Sequence, residues 1–193
     1  MTQTKLIENE DDKIYQCCPL WQTRNNIVWQ RSTADKDVDV LFIGEAPGKD
    51  EDLQGKPFVG KAGKKLDEWI FELDLLSYAI INIIKCRPPG NRKPYPDEIR
   101  SCLPYLVKQI QQFNPKIIVA LGATPCLVLI NRKVVVANIG KIFQTRYGKV
   151  LVFPHPSFVA RGADVYVPIK ELKDILKDIL KDIEKDRKQQ MNI

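Results

Sequence analysis

Apolar residues along the chain fall into two alternating patterns. Residues 38–43, 79–84, 116–121 and 149–153 are short, β-branched and nearly continuous runs, as strands buried on both faces are. Between them the apolar positions recur at helical spacing: Leu66, Trp69, Ile70 and Leu73 within 64–73, then Ile99, Leu103, Leu106 and Ile110 within 96–113, where Pro96 takes a first-turn position. Residues 122–130 predict a third, short helix with Pro125 in its first turn. Residues 134–136 predict a short strand, and Tyr147-Gly148 the turn of a hairpin. In the tail, 168–188, Leu172, Ile175, Leu176, Ile179, Leu180 and Ile183 form one stripe. That stripe predicts an amphipathic helix packed on the sheet, being too few turns long for a coiled coil. Strands alternating with helices predict an α/β domain of three layers, a helix–sheet–helix sandwich. The polar residues 1–14 are expected to form a loose lead-in, and 15–188 a single domain.

Composition narrows the classes. A chain of 193 residues, 44% hydrophobic and 28% charged, can bury a core and is neither disordered nor fibrous. Its net charge of +6 and pI near 9.0 lean toward an anionic partner such as nucleic acid. No apolar run is long enough to span a bilayer, and the first residues are polar and acidic rather than signal-like, so a cytoplasmic protein with no membrane partner is expected. Five cysteines argue against a closed disulfide framework and for thiols or metal binding. The chain has one histidine, His155, so any imidazole chemistry must use it.

Three stretches stand at strand ends, where α/β sheets bind ligands. The first, GEAPGKDEDLQGKPFVGKAG at 44–63, follows the run 38–43. Its spacing is neither GxxxxGK[ST] nor GxGxxG, which argues against a nucleotide-phosphate cradle. The second, NIIKCRPPGNR at 82–92, puts Asn82 in an otherwise apolar strand. That amide is either a satisfied core group or one that reads a base edge, since it offers both donor and acceptor. The third is Pro154-His155-Pro156-Ser157, just past 149–153, which brings His155 to the sheet edge that also holds Glu45 if the strands are parallel. Cys17, Cys18, Cys86 and Cys102 come from a loop, a strand end and a helix, and four thiolates so gathered suit iron–sulfur or zinc. Cys126 reads as a small core residue.

Together these stretches resemble the family 4 uracil-DNA glycosylases, the iron–sulfur branch of the uracil-DNA glycosylase superfamily. The resemblance covers residues 16 to 180 and rests on GEAPG, GKPFVGKAG, NIIKCRPPGNRKP, Cys102 and HPS, in family order and spacing. It implies a central, mainly parallel four-stranded sheet flanked by helices, and an enzyme that flips uracil out of single- or double-stranded DNA and hydrolyses its glycosidic bond. By the resemblance, uracil stacks on Phe58, Asn82 bonds its Watson–Crick edge, and the backbone of the GEAPG loop, through Ala46 and Gly48, holds its carbonyls. His155 donates to the uracil O2 as negative charge develops there, and Glu45 positions or deprotonates the attacking water, with Asp50, Glu51 and Asp52 as rivals that more simply shape the loop. Candidates to grip DNA are Lys49, Lys61, Arg87, Arg92, Ser157 and Arg161, and Phe158 or Val159 would wedge into the duplex. A monomer is expected.

The chain departs from the family at the ligand pattern CxxCPL. Here the residues are Tyr15-Gln16-Cys17-Cys18-Pro19-Leu20, so tyrosine replaces the first cysteine. The implied 4Fe–4S cluster would then take Cys18, Cys86 and Cys102 in a structural role, either with Cys17 as the fourth ligand or as a labile or three-ligated cluster, and the alternative is that no cluster is bound. Two alternatives stay open: the same reaction on another deaminated or modified base, as in defence against modified invading DNA, and a lesion-binding module that does not cut.

Overall fold

The computed structural model describes residues 18–131, 138–160 and 169–191. The lead-in expected at 1–14, the strand expected at 134–136, Tyr15, Cys17 and Arg161 lie outside the described residues. Six strands form one sheet: β1 Gln30–Ser32, β2 Val40–Gly44, β3 Tyr78–Asn82, β4 Ile117–Leu121, β5 Ile142–Thr145 and β6 Gly148–Phe153. Their order across the sheet is β1-β3-β2-β4-β6-β5. The inner four, β3, β2, β4 and β6, are parallel and are the four runs the sequence marks as strands. Antiparallel β1 and β5 widen the sheet at its two edges. β1 is the tripeptide QRS, with no apolar residue to announce it, and β5 joins β6 through the hairpin turn at Tyr147-Gly148.

Side chains alternate between the faces of the parallel strands, and each face has its own cover. Leu41, Ile43, Ala79, Ile81, Ile118, Ala120, Val150 and Val152 pack against Leu106, Ile110 and Phe113 of α3 (Pro96–Phe113) and Cys126 and Leu129 of α4 (Ala123–Ile130). Val40, Phe42, Ile80, Val119, Leu151 and Phe153 meet Leu66, Trp69 and Ile70 of a helix at Lys61–Glu72 and Leu176 of another at Ile169–Met191. These two helices are α2 and α6, once the short α1 (Lys49–Gln54) and α5 (Pro156–Ala160) are counted. Each large apolar side chain so buried contributes roughly 1.5–3 kcal/mol. Cys126 is a fully buried core residue, as expected.

The topology positions the site. From β2 the chain passes to β3 on one side, then crosses through α3 to β4 on the other, so the strand order reverses at β2. The carboxyl ends of β2, β3, β4 and β6 lie along one edge and deliver Glu45, Asn82, Gly122 and His155 to it, the place where an open α/β sheet forms a crevice. No helix among the described residues is long and apolar enough to cross a membrane.

Candidate active site

The loop that follows β2 is folded by its own carboxylates. Glu51 accepts hydrogen bonds from the N–H groups of Gly48 (3.0 Å), Val59 (3.0 Å) and Gly60 (2.9 Å), so one side chain ties both ends of the stretch together. Asp52, 1% exposed, accepts from the backbone N–H of Asn25 and Asn26 at 3.0 and 3.3 Å and from the Asn25 amide. These two acids shape the loop. The closed loop holds Phe58 in a left-handed backbone conformation, φ 56°, which a residue other than glycine adopts only under constraint from its surroundings. α2 packs directly on it. A Cβ at Gly63 would stand 1.9 Å from the Phe58 carbonyl oxygen, so only glycine fits there.

Phe58, Asn82 and Gly44 meet at the end of β2 and β3. Gly44 is paired in register with Asn82, and a Cβ at Gly44 would lie 2.5 Å from Asn82 Oδ1 and 2.6 Å from the Phe58 ring. The missing side chain is what lets the amide and the ring approach the same point. Asn82 is 2% exposed, and its Oδ1 has no hydrogen-bond partner among the described residues. Leaving a buried carbonyl unpaired costs about 1–3 kcal/mol. Behind it, fully buried Lys85 donates to the Asn82 backbone carbonyl at 2.5 Å, and burial lowers its ammonium to a pKa of about 7.

His155 stands two residues past β6. The Ser157 N–H donates to His155 Nδ1 at 3.2 Å, and Ser157 Oγ lies 2.8 Å from the same nitrogen. With Nδ1 an acceptor, the neutral ring carries its proton on Nε2 and is a donor there. The ring centroid is 6.0 Å from that of Phe58, with 32° between the planes. Glu45 accepts a hydrogen bond at Oε2 from the hydroxyl of Thr124. These groups enclose a cavity of 420 Å³ lined by Glu45, Ala46, Gly48, Phe58, Asn82 and His155, with Arg92 and Ser157 also on its wall. The residues read from the sequence as pocket-forming therefore come together in one crevice. Thr124 and Gly122 were missed, although the tetrapeptide LGAT follows a strand run toward the same edge and strand-end position alone was the signal.

The basic candidates separate. Arg92 makes a paired contact with Glu98 at 2.9 and 2.6 Å, and its guanidinium lies 3.7 Å from the centre of the Tyr95 ring. Arg87 donates through Nε to Asn91 Oδ1 at 2.7 Å. Lys49 and Lys61 are exposed first residues of α1 and α2. Phe158, in α5, is 47% exposed next to the pocket's His155 and Ser157, which suits an apolar wedge; the Val159 side chain lies outside the described residues.

Cys18, Cys86 and Cys102 are all buried in the same core cluster, Cys102 from the first half of α3. Burial raises all three thiols, that of Cys102 to about 11, and each is within electrostatic reach of another: Cys86 raises Cys18, and Cys86 and Cys18 raise Cys102. Arg24 Nη1 donates to Cys86 Sγ at 3.3 Å and opposes that rise. Among the described residues no group of three or more histidine, cysteine or carboxylate side chains is drawn together closely enough to hold a metal ion.

A family model described as the Uracil DNA glycosylase superfamily matches residues 31–182. A Type-4 uracil-DNA glycosylase of Saccharolobus solfataricus is 44% identical over 160 residues, covering 76% of this chain and 73% of that protein. One of Archaeoglobus fulgidus is 37% identical over 169 residues, covering 79% of this chain and 84% of its own length. A third, of Thermotoga maritima, is 38% identical over 167 residues, covering 83% and 86%.

Proposed function

This chain belongs to the uracil DNA glycosylase superfamily, and we propose that it removes uracil from DNA by hydrolysing the glycosidic bond, leaving an abasic site in base excision repair. The observation that carries the choice of base is the unpaired, buried Oδ1 of Asn82 at the pocket wall. An acceptor with no partner calls for a donor. Uracil presents N3–H beside the O4 acceptor, which matches an amide whose Oδ1 accepts and whose Nδ2 donates. Cytosine presents a lone pair at N3, so its edge would set acceptor against acceptor and leave Oδ1 buried and unpaired.

To reach the pocket the base must leave the stack, and Phe58 gives it a flat apolar face to replace its neighbours. As the bond to C1′ lengthens, negative charge moves onto the base and positive charge onto the sugar. His155, donating from Nε2, stabilises the charge on the uracil O2. Glu45 orients the attacking water and offsets the charge on the sugar. The small residue Ala46 lets the loop backbone approach the base carbonyls, whereas the Gly48 N–H is already given to Glu51, so Gly48 serves as cavity wall rather than as a donor to the base. Lys49, Lys61, Arg87, Ser157 and Arg161 hold phosphates of single- or double-stranded DNA, while Arg92, its charge already paired with Glu98 and its guanidinium stacked on Tyr95, keeps the pocket wall in place. The protein works as a monomer in the cytoplasm.

The donor types suit an iron–sulfur cluster, three buried thiols with the Arg24 guanidinium beside one of them, while among the described residues these thiols are not gathered as tightly as a single metal ion needs. Cys18, Cys86 and Cys102 would hold it, with Cys17 as fourth ligand. Bound there, it supplies a structural tie between the segment before Pro19, the segment after β3 and α3, and takes no part in the hydrolysis.

Hypoxanthine presents the same donor–acceptor pair, N1–H beside O6, so the test is a panel. End-labelled oligonucleotides holding one uracil, hypoxanthine or modified cytosine are incubated with the protein and cleaved at abasic sites with alkali. Breakage at uracil supports the reading. Breakage only at another base moves the function to that base, and no breakage anywhere ends the enzyme reading.

A further inference from the structure

The corner between β4 and α4 touches both reacting groups. Gly122, φ 91°, sits between β4 and α4, and its N–H donates to the Phe153 carbonyl at 3.0 Å, fixing the strand end that carries His155. A Cβ at Gly122 would lie 3.0 Å from the His155 Cβ, so the corner backbone rests directly against the histidine. Two residues on, the Thr124 hydroxyl donates to Glu45 Oε2 across 79 residues of sequence. The Glu45 backbone carbonyl accepts from the Ile84 N–H at 3.2 Å.

A glutamate has three side-chain torsions, and a half-buried carboxylate at a cavity wall samples several of them unless something stops it. Threonine suits that task. Its branched Cβ leaves few χ1 states in a helix, and the early position in α4 directs the single O–H away from the helix backbone and onto the acid. One carboxylate oxygen is thereby engaged, and Oε1 is the oxygen that remains for a water.

We infer that Thr124 is a positioning residue for the reaction: it holds Glu45 so that the acid addresses the water and the sugar, while Gly122 beside it sets the height of His155. This rests on the role proposed above for Glu45. A threonine that merely helped α4 to fold would show the same loss whether or not residue 45 carried a carboxylate. A threonine that acts through Glu45 would not.

Single-turnover excision of uracil by Thr124→Val, Thr124→Ser, Glu45→Ala and the Thr124→Val/Glu45→Ala pair separates the two, with affinity for abasic product DNA as the check on folding. Thr124→Val, which keeps the shape and loses the O–H, is expected to slow the chemical step roughly tenfold or more. Product affinity should stay within about twofold, Thr124→Ser should recover most of the rate, and Thr124→Val should add nothing on top of Glu45→Ala. A Thr124→Val enzyme at full rate overturns the inference and leaves the Glu45 reading standing. So does an equal proportional loss in the Glu45→Ala background. Full activity of Glu45→Ala overturns the Glu45 reading, and this inference with it.

Discussion

Gly44 and Asn82 lie side by side in register, and the Asn82 amide occupies the space a side chain at Gly44 would need. The Phe58 ring closes the same space from the other side. Gly44→Ala therefore has to displace the amide, the ring or both, although alanine suits an interior strand residue. Because small displacements of reacting groups cost on the order of a hundredfold, uracil excision by Gly44→Ala should fall by about that factor, read as a single-turnover rate. Wild-type rates would mean that neither side chain's position matters.

Asn82 also sets function against stability. Its Oδ1 is buried without a partner, so replacing the amide by a similarly shaped apolar group removes an uncompensated cost. Asn82→Leu should melt about 2–4 °C above the parent and lose excision by on the order of a hundredfold or more. A fall in melting temperature would show that the amide is satisfied in the folded protein.

Glu98 gives the pH dependence. Its carboxyl is held below the usual range, first by the hydrogen bond from Arg92 and also by the Tyr95 N–H. The unfolded chain then binds this proton more readily than the folded one, so the contribution is complete above the ordinary carboxylate range and is lost as pH falls through the lower folded value. Glu98→Gln should lower the melting temperature by about 3–6 °C at neutral pH. That deficit should close in acid, where both proteins are uncharged at this position. A deficit that is constant with pH would assign the effect to packing instead.

The three thiols make a separate claim. Protein purified without oxygen should contain iron and inorganic sulfide and absorb broadly in the visible. Cys102→Ser should lose the colour and melt lower. Colourless, iron-free protein with unchanged stability and activity would remove the cluster.

Most of the fold was legible because its strands are buried on both faces and so read as continuous apolar runs, and the strand-end rule brought Glu45, Asn82 and His155 to one crevice. The edges were not legible. Gln30–Ser32 pairs with β3 although it holds no apolar residue, so side-chain patterning carries no trace of that pairing. In the site, Phe58 and Asn82 were readable through the family motif, whereas Thr124 was not. Its bond to Glu45 joins two strand ends that become neighbours only once β2 and β4 are paired. The bidentate pairing of Arg92 with Glu98 was hidden for a different reason: Arg92 and Glu98 are six residues apart, on a loop and on a helix, at a spacing that no periodicity marks.

The most direct measurement is a mass balance on one defined substrate. A duplex carrying a single uracil is incubated with the protein, the released base is identified by mass spectrometry, and abasic sites are counted in the same sample. The account predicts one free uracil for each abasic site, none from the matching cytosine duplex, and a rate lower by on the order of a hundredfold or more in His155→Ala. Intact uracil in the duplex after prolonged incubation, or a different base in solution, would contradict it.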